Sequence, residues 1–99
     1  MSVFNVVRFR VRSGRDEAFL AAHREGRAKW PGLQRGTIIK TGEATYCLIG
    51  EWSGPDALAA ARPAMITTLN TFRDTLEDLG HGLGVTDAVS GPVVVELTA

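Results

Sequence analysis

Residues 63–80 read PAMITTLNTFRDTLEDLG, with Met65, Leu69, Phe72, Leu76 and Leu79 at steps of four, three, four and three. That spacing puts the five apolar side chains on one stripe of a helix and turns Thr67, Arg73, Asp74 and Asp78 away from it. Gly80 is the expected left-handed cap. A helix of this length is marginal alone in water. Burying five such side chains is worth on the order of 10 kcal/mol, at roughly 1.5–3 kcal/mol each. The rest of the chain must therefore supply an apolar surface.

Just upstream, Ser53 is a candidate N-cap and Pro55 suits an early helical position, where its missing N–H costs nothing. Pro63 removes a backbone donor and restricts Arg62, which predicts a short helix over 56–61 and a break before the long one. Residues 45–52 alternate as a strand, with Tyr46, Leu48, Gly50 and Trp52 on one face. Residues 33–40 form its partner through the loop 41–44, where Gly42 is the expected positive-φ residue. Residues 3–12 form the first strand, with Val3, Asn5, Val7, Phe9 and Val11 on one face and Phe4, Val6, Arg8, Arg10 and Arg12 on the other. Both faces begin apolar, as in a central strand. Ser13 and Asp16 resemble a capping box opening a helix over 14–29, with Phe19, Ala22, His23, Gly26 and Trp30 on one side. Residues 93–98, led in by Ser90-Gly91-Pro92, read as the last strand.

The chain has 99 residues, 44% of them apolar and 22% charged, which predicts one ordinary globular domain over 1–99. Eleven basic residues balance eleven acidic ones. No net field recruits nucleic acid or anionic lipid. Cys47 is alone, so neither an intrachain disulfide nor a thiolate metal cluster is expected, and a cytoplasmic setting fits. No leader peptide or membrane-spanning run is expected.

The order β-α-β-β-α-β is the split βαβ pattern, a ferredoxin-like α+β fold with an antiparallel sheet. Right-handed crossovers put both helices on one face, with the first and third strands central. Nothing remains to cover the face that carries Phe4 and Val6, and a second copy of the chain is the economical cover.

The pattern resembles the dimeric α+β barrel group that includes the antibiotic biosynthesis monooxygenase (ABM) domain. The likeness rests on the strand 4–12, the junction Glu51-Trp52-Ser53-Gly54-Pro55-Asp56-Ala57-Leu58 and the tail Ser90-Gly91-Pro92-Val93-Val94-Val95-Glu96. It implies a homodimer with a pocket between helices and sheet. Members use such a pocket for cofactor-free oxygenation of phenols or quinols, for haem degradation, or for isomerisation of small cyclic metabolites. The haem-degrading members carry an axial His in the second long helix and a Trp earlier in it. Residues 56–79 contain neither, which argues against haem.

The resemblance makes Asn5 the first candidate, since it matches in type and position an Asn with which the oxygenases orient substrate. An amide both donates and accepts, so it can hold a phenolate or enolate oxygen. The alternative is an amide bonded within the sheet. On the functional alternative, Asn5→Leu keeps or raises stability. Trp52 is either a pocket wall or core packing at a strand–helix junction. His81 has the residue type of a general base, yet it sits between two glycines. Tyr46, Arg62, Arg73 and Phe72 complete the expected substrate contacts, with solvated surface the alternative for the two arginines. No metal or other cofactor motif is present. The activity expected from the resemblance is cofactor-independent monooxygenation of an aromatic or quinoid molecule. The alternatives are a non-catalytic homodimeric small-ligand-binding protein and an isomerase of the same fold.

Overall fold

A computed structural model describes residues 2–26 and 30–97. The element order is β1 (Val3–Arg10), α1 (Asp16–Gly26), β2 (Leu33–Gly42), β3 (Thr45–Trp52), α2 (Pro55–Phe72), a 3-10 turn (Arg73–Thr75) and β4 (Asp87–Pro92). The expected end of the first helix at Lys29 lies outside the described residues. The four strands form one antiparallel sheet in the order β2-β3-β1-β4, so β1 and β3 are central as alternation predicts. The fold is α+β and ferredoxin-like.

Val3, Asn5 and Phe9 of β1 face the helices, beside Tyr46, Leu48, Gly50 and Trp52 of β3. Two core clusters fasten the helices to this face. Phe9, Val11, Phe19, Tyr46, Phe72 and Leu76 form one. Val3, Trp52, Leu58 and Ala61 form the other. Asn5 sits between them on β1, and Leu48 and Gly50 sit between them on β3. The opposite face bears the row Val89–Val6–Ile49, with Phe4 and Ile39 flanking. Among the described residues, no element covers that face.

The second helix departs from expectation at both ends. It runs unbroken through Pro63, because Pro63 and Ala59 both lie on the solvent side, where water satisfies the carbonyl that loses its donor. Its N-cap is Gly54, which makes no side-chain cap bond, so Ser53 does not cap it. It stops at Phe72, eight residues before Gly80. The Thr75 hydroxyl donates to the Phe72 carbonyl at 2.6 Å, and the chain then turns alongside β1. The Arg12 and Glu77 N–H groups donate to the carbonyls of Thr75 and Arg10 at 2.7 and 2.8 Å. Leu76, fully buried, thus belongs to an extended bridge with Val11 and not to a helix. Within α2 the expected stripe holds, with Phe72 buried and Met65 and Leu69 half-buried against the two clusters, and it extends upstream to Ala61 and Leu58.

Three smaller expectations also change. The positive φ in the β2–β3 turn is at Ala44, since β2 extends through Gly42. α1 begins at Asp16, leaving Ser13 in the preceding turn. The fourth strand is Asp87–Pro92, so Pro92 ends it opposite Val3. Residues 93–97 form no regular element, although the Val93 N–H donates to the Ser2 carbonyl at 2.9 Å. Val94, Val95 and Leu97 are strongly exposed there.

Candidate functional site

Between the two core clusters the helices stand off the sheet and leave a cleft of about 340 Å3. β1 contributes Asn5, Val7 and Phe9 to its wall, and α2 contributes Leu58, Arg62, Met65, Leu69 and Phe72. A second lobe of about 300 Å3 adjoins it over β2, and the two share His23, Trp30, Leu48 and Thr68. Among the described residues, no carboxylate lines either lobe. The walls are apolar with a few polar groups, as small-molecule sites are.

The polar group on the cleft floor is Asn5, only 8% exposed. Register pairs Asn5 with Gly50 and Val3 with Trp52, which makes Asn5 and Trp52 diagonal neighbours on one face. The Trp52 indole Nε1–H donates to Asn5 Oδ1 at 2.7 Å. Indole nitrogen can only donate, so this bond fixes the amide orientation, with the oxygen towards Trp52 and the NH2 away from it. Among the described residues nothing accepts from that NH2, and no fully buried side-chain N or O lacks a partner. The NH2 is therefore open to the cleft. Gly50 makes room for the pair, since a Cβ there would stand 2.4 Å from Asn5 Oδ1 and 3.0 Å from Trp52 Nε1.

Trp52 itself is 1% exposed and does not line the cleft. It stacks on Trp30, ring centroids 6.2 Å apart, and Trp30 forms the wall. Trp52 is thus a core residue that holds Asn5. Because Asn5 accepts its N–H, Asn5→Leu would orphan a buried donor, and the expectation of unchanged or higher stability does not survive.

Two of the expected substrate contacts, Arg62 and Phe72, do line the cleft. Among the described residues no carboxylate lies within ion-pair distance of Arg62. The other candidates are elsewhere. Tyr46 is buried beside Phe19, and its hydroxyl donates to the Asp16 carboxylate at 2.6 Å, which pushes the phenol pKa above its ordinary value. Arg73 is exposed and donates to Asn70 Oδ1. His81 has φ +54 and lies exposed in the loop before β4, away from the cleft, so it is no partner for Asn5.

The histidine that the cleft does contain is His23, on the apolar side of α1. Its place among Phe19, Ala22 and Trp30 in that stripe was the available signal, and a search for metal-ligand spacing passes over it. Burial lowers its pKa below 6.5, partly offset by the bond to the Phe19 carbonyl.

No model of a known protein family matches the sequence, and no curated protein is significantly similar to it. Solved structures do share the fold. A candidate antibiotic biosynthesis monooxygenase from Nitrosomonas europaea superposes with a TM-score of 0.76 at 18% identity, covering 94% of this chain and 90% of that one. SnoaB, a cofactor-independent oxygenase from Streptomyces nogalater, gives 0.73 at 20% identity, covering 99% and 98%. A dimeric ferredoxin-like protein from an uncultured marine organism gives 0.73 at 17% identity, covering 99% and 92%. The chain therefore has the fold of the ABM-domain proteins, and at these identities the likeness is one of fold.

Proposed function

We propose that the protein is a cytoplasmic homodimer acting as a cofactor-independent monooxygenase on an aromatic or quinoid small molecule held in the cleft. The observation that carries this is the Asn5 amide, whose N–H donors face an apolar cleft while its oxygen is held by Trp52. A donor fixed in a dry site stabilises negative charge far better than one in water. Loss of the O–H proton from a phenol to solvent water gives an anion whose oxygen meets Asn5, with the Arg62 cation on the same wall. The ring then gives electrons to dioxygen directly, and the protein contributes orientation and exclusion of water. For 1-naphthol the balance closes without a further reductant. A C–O bond forms at the ring carbon para to the hydroxyl, the O–O bond breaks, and the second oxygen atom leaves as water with the two hydrogens lost. The product is 1,4-naphthoquinone.

Homodimerisation is supported by the uncovered row Val89–Val6–Ile49 and by the dimeric neighbour. The localisation rests on the single, buried Cys47, together with the lack of any helix long and apolar enough to cross a membrane among the described residues.

Incubation with 1-naphthol in air tests the activity. Oxygen uptake and quinone formation should both depend on the protein, and Asn5→Leu should lower kcat by roughly 100-fold, the value of one such donor. Saturable binding of naphthol with no oxygen uptake would point instead to a non-catalytic binding protein.

A further inference from the structure

His23 is the titratable side chain of the cleft that this mechanism leaves unused. Its ring is half-buried among Phe72, Phe19 and Phe9, with centroids 4.4, 4.6 and 6.0 Å away. Its Nδ1 lies 2.9 Å from the Phe19 carbonyl one turn back along α1. A carbonyl can only accept, so the proton of the neutral ring is on Nδ1 and the lone pair is on Nε2. Among the described residues nothing donates to Nε2, and no fully buried nitrogen lacks a partner, so Nε2 is reached from open space. That space is the cleft, since His23 lines both lobes.

The surroundings keep the ring neutral. β1 and the sheet below present Phe9 and Leu48, neither of which titrates, and α2 presents Phe72 and Thr68. The charged groups along the two lobes are Arg62 of α2 and Arg24 of α1, the latter paired with Glu17 at 2.7 Å. Neither offers the ring a negative partner, and burial disfavours its charged form, partly offset by the bond to the Phe19 carbonyl. An acceptor among aromatic rings leaves an unmet bond that a Phe or Leu at this position would not. Asn5 and Phe9, the strand residue under the His23 ring, are four residues apart on β1, about 13 Å along the strand. The cleft thus carries a donor towards one end and an acceptor towards the other.

We propose that His23 determines specificity in this cleft, its Nε2 accepting the hydrogen bond of a second hydroxyl on the bound ring compound, at the end of the molecule away from the oxygen that meets Asn5. The assignment rests on the cleft being the ligand site. It predicts a protein that prefers a dihydroxyaryl compound to its dimethyl ether, because only the former brings a proton to Nε2.

Calorimetric titration with 2,6-dihydroxynaphthalene and with 2,6-dimethoxynaphthalene tests it, since either oxygen of both compounds can accept from Asn5 and only the diol can donate to His23. The wild-type protein should bind the diol about tenfold tighter, one hydrogen bond's worth. His23→Phe keeps an aromatic ring among the phenylalanines and should bind both compounds alike, at the affinity of the ether. Equal binding by the wild-type protein, or a preference that persists in His23→Phe, overturns the assignment and leaves the cleft intact as a site. Binding of neither compound overturns the cleft as well. A second measurement needs no variant. As the pH is lowered and the His23 ring protons report charging, the diol preference should vanish while the ether still binds. A preference that outlasts protonation contradicts the role.

Discussion

Gly50→Ala is the sharpest perturbation of the Asn5–Trp52 pair, because it leaves both partners in place and removes only their room. The new Cβ would stand 2.4 Å from Asn5 Oδ1, closer than real Cβ atoms come, and 3.0 Å from Trp52 Nε1, tighter than most of them. Trp52 cannot retreat, being 1% exposed and stacked on Trp30. If Asn5 swings away, the indole N–H loses its acceptor at a cost of about 1–3 kcal/mol. If the strands part instead, overpacking costs a similar 1–3 kcal/mol. Replacing glycine recovers roughly 0.4–1 kcal/mol by restricting the unfolded chain. The net expectation is a loss of about 1–2 kcal/mol. Urea denaturation followed by tryptophan fluorescence at fixed protein concentration should show a midpoint about 1 M lower, for a slope of 1–2 kcal/mol per molar. Gly36→Ala is the internal control. It lies opposite Gly50 in the β2–β3 register, and its Cβ would meet nothing closer than Leu33 Cδ2 at 3.8 Å. It should be neutral or slightly stabilising. Equal stability of Gly50→Ala and wild type, with the Trp52 indole proton unshifted, would refute the reasoning.

Tyr46→Phe removes the bond to Asp16 and should cost about 1 kcal/mol without changing ligand affinity, as read from paired melts and titrations. The phenol pKa is raised in the fold, so its contribution is complete below its ordinary value of 10.0 and is lost as pH rises through the folded value; the wild type should lose more stability than Tyr46→Phe on strong alkalinisation. His23 titrates with the opposite sign. Its pKa is lowered from 6.5, the unfolded chain takes the proton first, and stability should fall as pH drops below 6.5, less so in His23→Phe, by thermal melts across pH 7 to 5. Val6→Glu puts a charge at the centre of the uncovered sheet face and should convert a dimer to monomer by light scattering at micromolar concentration, whereas a wild type already monomeric there would contradict the dimer.

Strand order was legible because alternation along residues 3–12 and 45–52 carries the same information as the sheet. Apolar content on both faces of β1 marked it as central before any pairing was known. The fourth strand was not legible. Val93, Val94 and Val95 have the stronger strand propensity, but Asp87–Pro92 has the register that satisfies the free edge of β1, and pairing outweighs propensity. The end of α2 was hidden for a related reason. Leu76 and Leu79 continue the helical spacing, while the backbone of Arg10 and Arg12 offers Thr75 and Glu77 better partners than another turn would. Of the site, Asn5 was visible as the odd polar residue on an apolar face. Its lock was not, since only the register brings Trp52 diagonal to Asn5 and sets Gly50 opposite it. His23 sat in an apolar helical stripe, but a lone histidine without a second ligand looks like core until the cleft beside it is known.

The central claim is that the Asn5 amide is the floor of a ligand site. The most direct measurement is a nitrogen-15 NMR titration of the wild-type protein with 1-naphthol, following the Asn5 side-chain NH2 and the two indole N–H signals. The NH2 of Asn5 should shift saturably, together with Trp30 in the wall, while the Trp52 indole proton stays in place because its bond to Oδ1 is kept. Saturable naphthol binding that leaves the Asn5 NH2 signals unmoved would contradict the claim.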